Sequence, residues 1–340
     1  MKKRLSNFEL LRLLAMLFIL LNHCNYMCLG RVDCDDVVTN PSLSFFRIFF
    51  EQAFLVGVNI FILISGWFGI KFTPKGVFAL LFKVIFIGWL VCGLLFPFTH
   101  YIPFHDMFRL SWLGSYYWFV PSYLVLFVCS PALNAFAETA DRKTLRTFLL
   151  FFFIIEFALG WLWDWENFGL GHSALSFIGL YLLARYVRNN SDTLAWANLS
   201  KIKYMIPYVL LTIIPTIFVF FSLTKYNWSG SSLSDASPFV IGGAMSVFLL
   251  FRKINMGSNR IVNWCASSAF SMYLIQMHPM VWPFWETKMN LLYEQYGGGY
   301  LLIAVVVCLA FSMICIPIDK ISTIVWERLL QLYEHINKRI

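Results

Sequence analysis

Arg12 and His23 stand eleven positions apart in "NFELLRLLAMLFILLNHCNY", residues 7–26, a run otherwise apolar enough to cross a bilayer. A charged side chain at bilayer depth costs a few kcal/mol even on lenient insertion scales, so a guanidinium kept there needs a partner or a task. An imidazole suits proton transfer near neutral pH, and a guanidinium offers a rigid fork of donors to an anion. At about 100° per residue, eleven positions make three turns plus about 20°, which puts both side chains on one helix face. A rise of 1.5 Å per residue separates them by about 16 Å along the axis. Glu9, three positions before Arg12, is spaced to pair with it. A Glu9–Arg12 pair at the interface and a His23 bonded to a neighbouring helix would need no function. A same-face Arg and His turned into a bundle argues for one, because such residues are rarely tolerated elsewhere in a membrane.

The next apolar run, "FFRIFFEQAFLVGVNIFILISGWFGIKF", adds Arg47 and Glu51 at an i,i+4 spacing, then Asn59 and Ser65. Glu51 falls at about the level of His23, where a carboxylate would orient an imidazole or accept a proton; an i,i+4 surface pair with Arg47 is the equal alternative. Gly57, Ser65 and Gly66 allow close helix approach without any chemistry. Trp118 and Tyr123 read as interfacial belt aromatics or as walls of a sugar site. In "SSAFSMYLIQMHPM", Gln276 and His278 point in different directions, so at most one lines the cavity of His23. Lys83 lies a turn or so inside the membrane on the Arg12 side, snorkelling or meeting an anionic ligand.

Helices must position these groups. The chain has 340 residues, 59% hydrophobic and 13% charged, with a mean hydropathy of +0.70. Soluble domains carry about 25% charged residues, so the chain reads as an all-α, polytopic integral membrane bundle. The net charge of +8 sits at the ends of apolar runs rather than on a polar patch, which disfavours a nucleic-acid partner. Spans of about 20 residues are expected at 8–29, 45–70, 76–98, 117–137, 145–163, 171–188, 204–222, 237–252, 264–285 and 298–318. Pro41, Pro74, Pro103, Pro131, Pro238 and Pro317 are read as turns or span ends. Ten spans return both termini to one side. With that side cytoplasmic, nineteen of the 26 Lys and Arg residues lie inside and four outside (Arg31, Arg109, Lys225 and Lys288), with Arg12, Arg47 and Lys83 within spans. The positive-inside rule supports the count and the orientation together. The basic start followed by an apolar run lacks a small-residue cleavage site and reads as a retained first helix. No repeat or linker divides residues 1–340, a single domain. The eight cysteines form no CxxC pair; Cys28 and Cys34 could join if they face an oxidising compartment.

Four stretches resemble the membrane-bound acyltransferase-3 family, which includes O-antigen and exopolysaccharide O-acetylases. They are the Arg and His separated by ten residues in the first span, "VGVNIFILISGWF", "WFVPSYLVLFVCSPALN" and "SMYLIQMHP". Their order covers nearly the whole chain. The departures are Glu9 where the family usually has Asp, a basic cluster thinned to Lys75 and Lys83, and Gln276 where the late His often stands. No appended hydrolase-like domain is expected in this short form.

The resemblance implies transfer of an acyl group, expected to be acetyl, from cytoplasmic acyl-CoA to a hydroxyl of a glycan or lipid-linked oligosaccharide, in a bacterial cytoplasmic membrane and without a metal. His23 would deprotonate the hydroxyl or carry the acyl group, and Arg12 would bind a phosphate or the thioester carbonyl. Glu51 would orient the imidazole. Lys75 and Lys83 would assist the donor, and Ser65 and Asn59 are candidate oxyanion donors. Trp118, Tyr123, Asn59, Ser65 and His278 would face substrate. Two rivals stay open: a flippase of lipid-linked sugars, which tends to show paired halves, and a glycan polymerase or ligase with a long basic outer loop. The outer loops expected here, 99–116 and 223–236, hold only Arg109 and Lys225 between them.

Overall fold

The computed structural model describes residues 5–111, 117–226 and 234–337. Among these the secondary structure is helical, with no strand. The first half runs α1 (Ser6–Asn22), α2 (Cys34–Thr39), α3 (Pro41–Phe54), α4 (Gly57–Phe68), α5 (Pro74–Thr99), α6 (Phe104–Ser111), α7 (Phe119–Thr139) and α8 (Arg142–Ile155). The second half runs α9 (Ala174–Asn189), α10 (Ile202–Tyr226), α11 (Pro238–Arg252), α12 (Arg260–Ala266), α13 (Ala269–Gln276), α14 (Trp282–Tyr296) and α15 (Tyr300–Asn337).

Among the described residues, seven helical segments are long and apolar enough to cross a membrane: Ser6–Met27, Pro41–Phe68, Pro74–Thr99, Phe119–Thr139, Arg142–Leu162, Ile202–Tyr226 and Trp282–Ile336. This is a multi-pass membrane protein. The outer faces of its long helices are apolar where a soluble protein would be polar, as with Leu302, Val306, Leu309 and Met313 of α15, all exposed at helical spacing. The other expected spans correspond to shorter pieces. α9 has 16 residues and α11 has 15. The expected 264–285 span is broken into α12 and α13, and α13 stops at Gln276. Pro279 supplies a reason, since the residue before a proline is pushed out of the helical region. The prolines divide in the same way. Pro41, Pro74 and Pro238 open helices, where the missing N–H costs nothing. Pro131 and Pro317 instead lie inside α7 and α15, which a membrane bundle tolerates because neighbouring groups re-satisfy the freed carbonyls.

α4 sits at the centre, against α1, α9 and α11. Two glycines set those distances. A Cβ at Gly57 would lie 2.8 Å from the Ala15 carbonyl oxygen, and one at Gly66 would lie 2.5 Å from that of Tyr181. In lipid, where apolar burial does not distinguish helix from solvent, such close backbone packing holds helices together. α1 thereby presses along α4 and also contacts α12 and α13.

α1 does not end as a plain α-helix. From His23 to Met27 it widens into a π-type turn, a feature that often accompanies functional positions. Arg47 holds the segment that follows: its guanidinium donates to the side-chain oxygen of Asn25 at 3.3 Å and to the Gly30 carbonyl at 2.7 Å. It also lies 3.6 Å from Asp36. The i,i+4 pairing of Arg47 with Glu51 is therefore not the ion pair this fold makes; Glu51 instead meets Arg31 at 3.7 Å. Cys28 and Cys34 are both free thiols.

Candidate active site

Arg12, Met16, Ile19 and His23 line one stripe of α1, and four cavities follow that stripe in series. The first, of about 1350 Å³, is walled by Glu9, Arg12, Ser65, Lys71, Tyr123 and Arg188 among others. Arg12, Ser65 and Tyr123 are shared with a second, which adds Phe61, Phe119, Ala266 and Phe270. Phe61, Phe119 and Phe270 then wall a third, about 360 Å³ and apolar apart from His23 and Tyr273. Ile19, His23, Val58 and Trp118 belong to both this joint and a fourth cavity of about 760 Å³. His23 thus stands where the apolar joint opens into the fourth cavity, and Arg12 stands at the opposite end.

The Arg12 end is cationic. Arg12 donates to Glu9 at 2.6 Å, the pair its spacing suggested, and its side chain remains partly exposed. Lys71 and Arg188 share the wall. Arg188 donates to the Trp67 carbonyl, and the Trp67 ring lies under Arg188 and Arg252 at 5.8 and 5.0 Å. Three cations against one carboxylate make a mouth suited to phosphates. Deeper in, the Tyr123 hydroxyl donates to Ser65 Oγ at 3.3 Å while Ser65 donates to the Phe61 carbonyl at 3.0 Å.

At the other end, His23 Nδ1 lies 2.7 Å from the side-chain carbonyl of Gln276. A carbonyl only accepts, so Nδ1 carries the proton and Nε2 keeps the lone pair. The broken α13 delivers this contact, since its last helical residue is Gln276. His23 packs edge-on against Trp282 at 6.3 Å and lies 6.4 Å from the Tyr273 ring. The arrangement is an oriented imidazole with one available nitrogen, at the boundary of an apolar cavity and a polar chamber.

The chamber holds the other expected carboxylate. Glu51 lies on its wall, 2% exposed, paired to Arg31 and not hydrogen-bonded to His23. Trp118 is on the same wall, its ring 4.2 Å from that of His172. Asn59 is fully buried behind the wall and donates to the Asp235 carbonyl at 2.9 Å.

Besides Asn59, three expected residues lie apart from these cavities. His278 is fully buried; its Nδ1 accepts from the Met280 N–H and its Nε2 donates to the Gly88 carbonyl, both at 3.1 Å. It braces the break after α13. Lys83 pairs with Asp319 at 2.7 Å, and Lys75 is exposed, 3.9 Å from Glu334. Conversely, Gln276, His172, Asp235, Arg31 and Arg188 had no assigned role. Only Gln276 carried a signal, an amide in an apolar run where the resemblance places a histidine.

No curated protein and no solved structure matches this chain. A family model described as "Acyltransferase domain" matches residues 5–319, nearly its whole length, and with that coverage this multi-pass membrane chain belongs to the acyltransferase-3 family.

Proposed function

We propose that the chain moves an acyl group, acetyl in the simplest case, from cytoplasmic acyl-CoA to a hydroxyl of a surface or lipid-linked glycan across a bacterial cytoplasmic membrane. The observation carrying this reading is the series of cavities joining a cationic mouth at Arg12 to an oriented imidazole at His23. The excess of Lys and Arg expected on that side supports a cytoplasmic mouth and cytoplasmic termini. The donor's phosphates meet Arg12, Lys71 and Arg188, and its acyl thioester reaches through the apolar joint toward His23. Lys75 and Lys83 line none of these cavities, and each is paired to a carboxylate, Glu334 and Asp319.

The acceptor arrives from the opposite chamber. Its hydroxyl gives a proton to His23 Nε2 as the oxygen attacks the thioester carbonyl carbon. A C–O bond forms, the C–S bond breaks, and the departing thiolate takes the proton back from the imidazolium. Gln276 holds Nδ1–H throughout, so the ring keeps one orientation. Glu51 supplies negative charge on the side where the imidazolium forms, and Tyr123 with Ser65 lines the path of the thioester.

The test uses the purified chain in lipid nanodiscs with acetyl-CoA and the surface glycan of the source cell. Thiol release coupled to ester formation is expected for the wild type, and its loss in His23→Ala with insertion and expression unchanged. Equal ester formation in His23→Ala rejects the assignment.

A further inference from the structure

We propose that the chamber beyond His23 is a binding site for a neutral, hydroxyl-rich ring, built around a second histidine, His172, and its carboxylate, Asp235. His172 Nε2 donates to Asp235 Oδ2 at 2.8 Å, which leaves His172 Nδ1 able to accept. The His172 ring lies against Trp118, itself shared with the joint at His23. The two loops that bring the dyad together are latched by their backbones. Ser234 Oγ and the Ala236 N–H both donate to the Leu170 carbonyl, at 2.9 and 3.2 Å, and Asn59 fixes the Asp235 carbonyl from behind. Such a fixed, buried carboxylate on a chamber wall is an arrangement built for a ligand rather than a packing accident.

The chemistry of that ligand follows from what the wall lacks. Asp235 Oδ1 and Asn22 Oδ1 are buried atoms without a hydrogen-bond partner among the described residues, and both residues line this chamber together with Glu51, whose Oε1 is ion-paired to Arg31 at 3.7 Å. Asp235 and Glu51 are 3% and 2% exposed. Each orphan is an acceptor, and a buried acceptor left unmatched costs about 1–3 kcal/mol. A ligand that supplies hydroxyl donors relieves that cost. A phosphate brings only more acceptors, and two carboxylates against the single guanidinium of Arg31 repel it. The chamber therefore selects the sugar ring of the acceptor, not its phosphate carrier, and His172 with Asp235 positions the ring so that one hydroxyl reaches His23.

This assignment rests on the acyltransferase reading only for calling the ring an acceptor; binding itself is measured without turnover. The full chain in nanodiscs is heated with methyl glucoside, with methyl N-acetylglucosaminide, or with glucose 1-phosphate. At least one neutral glycoside raises the unfolding temperature of the wild type by mass action, and glucose 1-phosphate does so less. In Asp235→Asn, and separately in Asn22→Ala, the concentration needed for the same shift rises about tenfold, the factor that one hydrogen bond to a buried acceptor supplies. Arg12→Ala retains the glycoside response. No response to either neutral glycoside, an equal response to the phosphate, or an unchanged response in both chamber variants overturns the proposal. Stabilisation by acetyl-CoA is scored separately: its failure strikes the donor reading and leaves the chamber assignment standing.

Discussion

His23 and Gln276 lie 253 positions apart in the chain, yet the imidazole Nδ1 of one sits 2.7 Å from the amide oxygen of the other. The contact fixes the tautomer, and with it the nitrogen left free to accept a proton. Replacing the acceptor is therefore expected to harm catalysis without removing any group that touches substrate. Gln276→Leu leaves Nδ1–H buried and unmatched and lets the ring turn. We expect turnover to fall about 10- to 100-fold, by analogy with the loss of the partner that orients a metal-ligating histidine. The KM for acyl-CoA stays near the wild-type value. Gln276→Glu keeps an acceptor at the same reach and retains most of the turnover. Steady-state kinetics on the three proteins separates kcat from KM; a proportional loss in both variants would mark Gln276 as a packing residue.

The His23–Gln276 contact was not legible in the sequence, but other parts of the site were. The same-face placement of Arg12 and His23 follows from period alone, and the cavities along Arg12, Met16, Ile19 and His23 agree with it. The Glu9–Arg12 pair is equally local. Glu51 was readable as a residue of the His23 level, but not its partner: Arg31 comes from the turn after the π-type segment, and nothing local announces that contact. His172 and Asp235 sit in connecting loops 63 positions apart, where no periodicity sets direction. Lys83 shows the opposite failure. Its depth was evident, but its partner was not, since Asp319 lies 236 positions on.

Arg12 makes the second expectation about the site. It belongs to two adjoining cavities and shares the mouth with Lys71 and Arg188. Arg12→Ala removes a bidentate donor for phosphate or thioester oxygen, and the KM for acyl-CoA is expected to rise about tenfold or more, with acceptor binding unaffected. Arg12→Lys keeps the charge but not the fork and recovers only part of the loss. Titrating the donor at saturating acceptor checks both; an unchanged donor KM in Arg12→Ala would move the donor away from this mouth.

Lys83 and Asp319 yield a stability expectation. Asp319 is fully buried and accepts from Lys83 at 2.7 Å, from Ser268 at 2.8 Å and from Ser271. Removing one partner of a buried pair strands the other charge, typically at about 3–5 kcal/mol. Lys83→Met is therefore expected to lower the unfolding temperature in nanodiscs markedly. Pairing it with Asp319→Asn removes the stranded charge and recovers a large part of the loss. Because the pair lies outside the cavities at Arg12, the double variant keeps the wild-type donor KM. Equal destabilisation by the single and double variants would show that the charge is not what the site compensates.

Gly66 and Gly93 offer a controlled contrast in how closely the helices approach. A Cβ at Gly66 would meet the Tyr181 carbonyl oxygen at 2.5 Å and the Ala184 side chain at 2.9 Å. The first is backbone in α9, which cannot turn aside as a flexible side chain would. Gly66→Ala must therefore part α4 from α9, at a cost of about 1–3 kcal/mol for overpacking. The neighbouring Ser65 lines the two cavities at Arg12, so the displacement is expected to raise the donor KM along with the loss of stability. Gly93, inside α5, has open space at the same position. There an added methyl only restricts the unfolded backbone and improves helix propensity, so Gly93→Ala is neutral or stabilising by up to about 1 kcal/mol. Thermal unfolding and donor titration of both variants read the two effects together. Equal stability of Gly66→Ala and wild type would mean that α4 and α9 do not rely on this contact for their spacing.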